Sequence, residues 1–145
     1  MKMYRIILLA SVLTTSCSTI AQQKETAPGS GVLCMAGLMS ISAAVGKHCL
    51  SEYNVEGQAR LQNNLRRLED YIAKQPDWDR ERVKKFMEEE GGDLYTPEVQ
   101  CKFVAEAGDT IGMVKGFIDR DAIEATKWVD EMTARPGKPT IGDCL

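Results

Sequence analysis

Apolar residues in this chain recur mostly three and four positions apart, the period of an α-helix, and seldom alternate with polar residues as in a strand. Residues 32–45 are almost continuously apolar or small, which predicts a helix buried on most sides and ending at Gly46. Residues 55–75 predict a second helix that ends before Pro76. Its apolar stripe consists of Leu61, Leu65, Leu68 and Ile72.

A third helix is predicted to begin with Asp77 or Asp79 as its N-cap and to stop at Gly91-Gly92. Its inward-facing side chains are predicted to be Trp78, Val83, Phe86 and Met87. The fourth helix has the clearest start in the chain, because Thr96 can cap it and Pro97 suits its first position.

A further helix is predicted to begin at Asp121, with Glu124 three residues later as in a capping box, and to break at Pro136-Gly137. The inward-facing residues predicted for it are Ala125, Trp128, Val129 and Met132. Together these patterns predict an all-α fold, a small bundle of four or five helices.

Gly108, Gly112 and Gly116 recur every four residues in the segment that follows Thr96. Residues 97–118 can therefore form either one helix or two. If one helix continues through them, the glycines form a flat groove that another helix can approach, and the thin side of the first helix is the expected partner. If it breaks, a short new helix starts at Gly108. A helical glycine costs up to about 1 kcal/mol relative to alanine, so three of them call for a packing reason.

The N-terminus has the three parts of an export signal: a basic start, the apolar residues 6–13, and a small-residue cleavage site ending at Ala21. We predict a signal peptide over residues 1–21, a flexible polar leader over 22–31 and a single helical domain over 32–145. The alternative is a lipoprotein, lipidated at Cys17 and thereby tethered to a membrane. Thr14 in the corresponding box, where such signals carry Leu, Val or Ile, favours the signal peptide.

Four cysteines lie beyond this signal, and in an exported chain they are expected to form two disulfides. Cys34 and Cys49 bracket the first helix, so an unbroken helix holds them about 20 Å apart, beyond the ~7 Å reach of a disulfide. In an up-down bundle Cys101 lies beside Cys49, which favours the pairs Cys49–Cys101 and Cys34–Cys144.

Charge and composition exclude several functional classes. Removal of residues 1–21 takes two of 18 basic and none of 21 acidic residues, so the net charge moves from −3 to −5, which disfavours nucleic-acid binding. His48 is the single histidine, no Cys-x-x-Cys motif is present, and no catalytic arrangement is recognisable. We therefore expect no enzyme activity, no cofactor and no metal site.

The expected function is protein binding in a bacterial envelope, periplasmic or secreted, of the inhibitor, immunity or accessory-subunit type, with another envelope or secreted protein as the partner. This expectation rests on analogy of architecture. One alternative is a periplasmic carrier of a small apolar ligand. Another is a copper(I) binder that uses Met35, Met39 and His48. A carrier requires an internal cavity, whereas a binding module requires an exposed groove or apolar patch over a solid core.

Overall fold

The computed structural model describes residues 31–90, 96–134, 139 and 141. These residues form six α-helices and no strand: α1 (Val32–Cys49), α2 (Val55–Ile72), α3 (Arg80–Glu90), α4 (Pro97–Glu106), α5 (Gly108–Asp119) and α6 (Ala122–Thr133). The all-helical class is therefore confirmed for these residues, which form six helices where four or five were predicted.

Helix α1 is the centre of the bundle and contacts α2, α3, α4 and α5. It is long and apolar enough to cross a membrane by length and composition, with a mean hydropathy of 1.4, but 56% of it is buried inside the fold. The prediction that Gly46 ends this helix was wrong, because α1 continues to Cys49. A Cβ atom at Gly46 would lie 3.2 Å from Ile118 Cδ1 and 3.3 Å from Gln58 Oε1, so this glycine permits close packing within the helix.

Helices α2 and α3 start close to their predicted positions. Helix α2 ends at Ile72, before the predicted Gln75, because the backbone tightens: Gln75 N–H donates to the Ile72 carbonyl at 3.0 Å, a 3₁₀-type bond. Of the two candidate caps for α3, Asp79 holds the position, since its Oδ1 accepts from the Arg82 N–H at 2.7 Å. Inside α3, Val83 and Met87 are buried as predicted.

Residues 97–118, for which the sequence left one helix or two open, lie in two separate helices, α4 and α5. Ala107 leaves the helical region, with φ −101° and ψ 79°, and α5 begins at Gly108. The packing reason predicted for the glycines was wrong. A Cβ at Gly108, Gly112 or Gly116 would meet nothing within 4 Å, so the glycine face of α5 is open. Helix α5 buries a different face, which carries Val114 and Ile118.

The core joins all six helices. Its largest fully buried side chains include Met35, Leu68, Ile72, Ile118, Val114 and Val129. Helix α6 packs on α2 and begins as predicted at Asp121, whose Oδ1 accepts from two backbone N–H groups, of Ile123 at 2.9 Å and of Glu124 at 3.1 Å.

Cys49 and Cys101 form a disulfide with their Cα atoms 5.3 Å apart, the pairing that antiparallel α1 and α4 favoured. It joins the last residue of α1 to the middle of α4. Cys34 is also disulfide-bonded. Its predicted partner Cys144 lies outside the described residues, so the Cys34–Cys144 pair remains a prediction.

Several other predictions fall outside the described residues. These are the signal peptide over 1–21, the lipidation alternative at Cys17, most of the leader over 22–31, and the helix stops at Gly91-Gly92 and Pro136-Gly137.

Candidate functional site

The outer surface of α4 carries two large apolar side chains one helical turn apart. Val99 is 51% exposed and Phe103 is 64% exposed. The exposed large apolar residues of the described chain are Val55, Val99, Phe103, Ile123 and Ile141, and only Val99 and Phe103 are neighbours on one helix. We call these two side chains the α4 pair.

Three features hold α4 in a defined position. Gln100 and Val104 are buried on the neighbouring face of the helix, about 100° round its axis from Val99 and Phe103, and the helix contacts α1 and α5. The disulfide at Cys101 lies between the two residues of the α4 pair in sequence. The α4 pair therefore stands on a braced element, which reduces the conformational entropy that binding would cost.

Charged groups border the α4 pair. Thr96 Oγ1 accepts from the Val99 N–H at 3.4 Å, which begins the helix as predicted. The pKa of the exposed Glu98 carboxyl is lowered, first by a hydrogen bond that it accepts from its own backbone N–H, then by one from the Thr96 hydroxyl, and also by electrostatic attraction to His48. Lys102 is exposed beside Phe103. An apolar centre with a charged border is the usual arrangement of a small protein-binding surface.

A second feature is a cleft of about 210 Å³ between α2 and α3, with α1 contributing to its wall. The residues that line it are Ser40, Glu69, Ala73, Arg80, Val83, Lys84, Met87 and Glu88. Ser40 Oγ donates to the Met87 carbonyl at 3.4 Å. The lining therefore combines an apolar wall with charged side chains.

Glu69 is the half-buried acid of this cleft. Burial raises the pKa of its carboxyl most, and the negative charge of the neighbouring Asp70 raises it further. The positive charges of Arg66 and Arg80 lower it. Both cationic side chains of the cleft wall form ion pairs: Arg80 Nη1 lies 2.9 Å from Asp70 Oδ1, and Lys84 Nζ lies 3.6 Å from Glu88 Oε1.

A polar cluster joins the loop before α2 to the end of α5. Asp119 accepts hydrogen bonds from the Tyr53 hydroxyl and from Asn54 Nδ2, the latter at 2.8 Å. These two bonds lower the pKa of Asp119, with the Tyr53 bond the larger cause, and the same bond raises the pKa of Tyr53. Asn54 Oδ1 also accepts from the Gly57 N–H at 2.9 Å, so the cluster caps α2. Its groups are satisfied by each other, and its role is structural.

The residues considered for copper are not brought together. Met35 and Met39 are 1% and 2% exposed within the core, whereas His48 is exposed near the end of α1. His48 lies nine positions after Met39 in the helix, a rise of about 14 Å. Within the described ranges, no group of three or more His, Cys, Asp or Glu side chains is arranged to hold a metal ion.

Sequence reasoning did not single out Val99, Phe103 or Glu69. The sequence does carry a signal for Val99 and Phe103, because apolar residues lie on two sides of α4 and Val104 already occupies the buried side. That stripe is wider than packing on one face needs. For Glu69 no local sign exists, because the opposite wall of the cleft belongs to another helix.

Comparison of the chain with protein-family models, with curated proteins and with solved structures found no match.

Proposed function

We propose that this protein is a non-enzymatic protein-binding module of the bacterial envelope, and that it binds its partner through the α4 pair. The observation that carries the proposal is the exposure of Val99 and Phe103 on a helix fixed by a disulfide and by buried contacts to α1. Phe103 offers the larger apolar surface. Burying it in a partner would contribute about 1–2 kcal/mol, or roughly 5- to 30-fold in Kd.

The carrier alternative has less support. The narrow cavity beside Trp128, lined also by Met39 and Phe117, has a volume of about 10 Å³. Pockets for small apolar ligands are typically about 300 Å³ or more. The cleft at Glu69 is larger but open and lined with charges. The packing of the described residues therefore favours a binding surface over a ligand cavity.

The Cys49–Cys101 disulfide supports the proposed location in the bacterial envelope. A bond between Cys49 and Cys101 persists in an oxidising compartment, as the periplasm is. An inhibitor, an immunity protein or an accessory subunit would each act there through contact with another envelope or secreted protein.

The test is quantitative affinity capture from the native envelope with three versions of the mature protein: wild type, Phe103→Ser and Ile123→Ser. Ile123 is the matched control because it is 79% exposed on α6, away from α4 in sequence and element. We expect the same protein to be retained by wild type and by the control, and at least fivefold less by Phe103→Ser. Equal retention by all three versions would exclude the α4 pair as the binding surface.

A further inference from the structure

The cleft between α2 and α3 has the properties of a binding site distinct from the α4 pair. We propose that it binds a cationic amino or guanidinium group carried on a short aliphatic stem, with Glu69 as the counter-ion. This inference does not depend on the function proposed for α4, because it rests on different residues and different helices.

The distribution of charge in the cleft indicates that its ligand carries a positive charge. Both cations of the cleft wall already have partners, Arg80 with Asp70 and Lys84 with Glu88. Glu69 forms no ion pair with any other side chain in the described part of the chain. The guanidinium groups near it act on its charge only from beyond ion-pair distance. The carboxylate that lacks a close partner is therefore the group that gains most from a bound cation.

The partial burial of Glu69 adds to this gain. A carboxylate that has lost part of its hydration is destabilised unless an opposite charge or hydrogen-bond donors replace the lost water. An arriving ammonium or guanidinium group supplies both. The raised pKa of Glu69 agrees with a site that is incomplete without such a group.

The shape and apolar lining of the cleft indicate the stem. Ala73, Val83 and Met87 provide an aliphatic wall next to Glu69, and the Ser40 hydroxyl is an additional hydrogen-bonding group. A volume of about 210 Å³ is smaller than the ~300–1,000 Å³ typical of drug-sized ligands, so it suits one amine-bearing chain. Free small amines and the Lys or Arg side chains of a protein share this chemistry.

The test is a titration followed by amide chemical shifts in NMR, with butylamine, butylguanidine and butyrate as probes that share an aliphatic stem. It uses the mature wild-type protein, Glu69→Gln and the control Glu81→Gln, an exposed acid on α3 that does not line the cleft. We expect saturable shifts around Ser40, Ala73 and Met87 with the two cations. The affinity should fall at least tenfold in Glu69→Gln and remain unchanged in Glu81→Gln.

Three results would overturn the proposal: no saturable shift with either cation, equal affinity in wild type and Glu69→Gln, or tighter binding of butyrate than of the cations, which would assign the cleft to anions through Arg80 and Lys84. Glu69→Gln should fold, because burial already favours the neutral form of this side chain.

An acetylated and amidated Gly-Lys-Gly peptide then separates the two sources of the cation. Tighter binding of the peptide than of butylamine assigns the site to a protein side chain, and weaker binding assigns it to free amines. Phe103→Ser should leave all these affinities unchanged, so failure at the cleft and failure at α4 are distinguishable.

Discussion

Two glycines in similar helical backbone should respond in opposite ways to the same substitution. Gly57 lies in the first turn of α2, and a Cβ built there would be 2.2 Å from the Ile118 carbonyl oxygen and 2.7 Å from Asn54 Nδ2. Gly112 lies inside α5, where a Cβ would meet nothing within 4 Å. Gly57 therefore permits a close approach between α2 and α5, whereas Gly112 makes no contact that requires glycine.

The magnitudes follow from these distances. Gly57→Ala forces the α5 backbone to move, and overpacking of this kind costs about 1–3 kcal/mol, of which up to about 1 kcal/mol is offset by the better helix propensity of alanine. Gly112→Ala gains that propensity without a clash, so it should stabilise the protein by about 0.5–1 kcal/mol. The propensity gain is common to both variants, so their free energies of unfolding should differ by the cost of the clash, about 1–3 kcal/mol.

Urea denaturation of the two variants and wild type, followed by far-UV circular dichroism, measures this difference. An equal m value in all three proteins would show that only stability has changed. Equal stability of Gly57→Ala and Gly112→Ala would refute the predicted clash with the Ile118 carbonyl. A loss of stability in Gly112→Ala would also contradict it, because the glycine face of α5 would then be covered in solution.

Three further predictions concern the disulfides, the polar cluster and processing. Replacing both Cys49 and Cys101 with serine should lower the free energy of unfolding by about 4 kcal/mol, because the bond closes a loop with a sequence separation of 52, and an unchanged urea midpoint would contradict this. The pKa of Asp119 is lowered by its bond from Tyr53, so its stabilising effect is complete above the ordinary aspartate value near 4 and is lost as the pH falls through the lower folded value. The stability difference between wild type and Asp119→Asn should therefore be constant above about pH 5 and shrink in stronger acid, and a difference that persists unchanged in acid would argue against the hydrogen bond. Intact-mass analysis should find an unlipidated N-terminus at Gln22, and alkylation should label no thiol before reduction and four after it; an acylated cysteine at the N-terminus, or two labels before reduction, would contradict these expectations.

The local features of the fold could be predicted from sequence. The start of α4 follows from the adjacent residues Thr96 and Pro97, whose cap geometry needs no tertiary contact. The Cys49–Cys101 disulfide followed from helix lengths and from the antiparallel arrangement of neighbouring helices.

Features that depend on contacts between distant residues could not be predicted in the same way. Gly46 looks like a helix stop in sequence, and only the close approach of Ile118 and Gln58 shows what a glycine inside α1 accommodates. Asp119 and Tyr53 are 66 residues apart, and Glu69 faces a cleft whose far wall is another helix. The period of the apolar pattern identifies which residues are helical, but it carries no information on which polar side chains meet across helices.

We propose that the protein acts by binding another protein through α4, and native mass spectrometry of the protein isolated from its native cells is the sharpest test of this proposal. We predict a complex of the mature chain with a second protein, which is depleted for Phe103→Ser and retained for Ile123→Ser. A mature chain that carries a small apolar molecule and no protein partner would contradict the account and establish the carrier in its place.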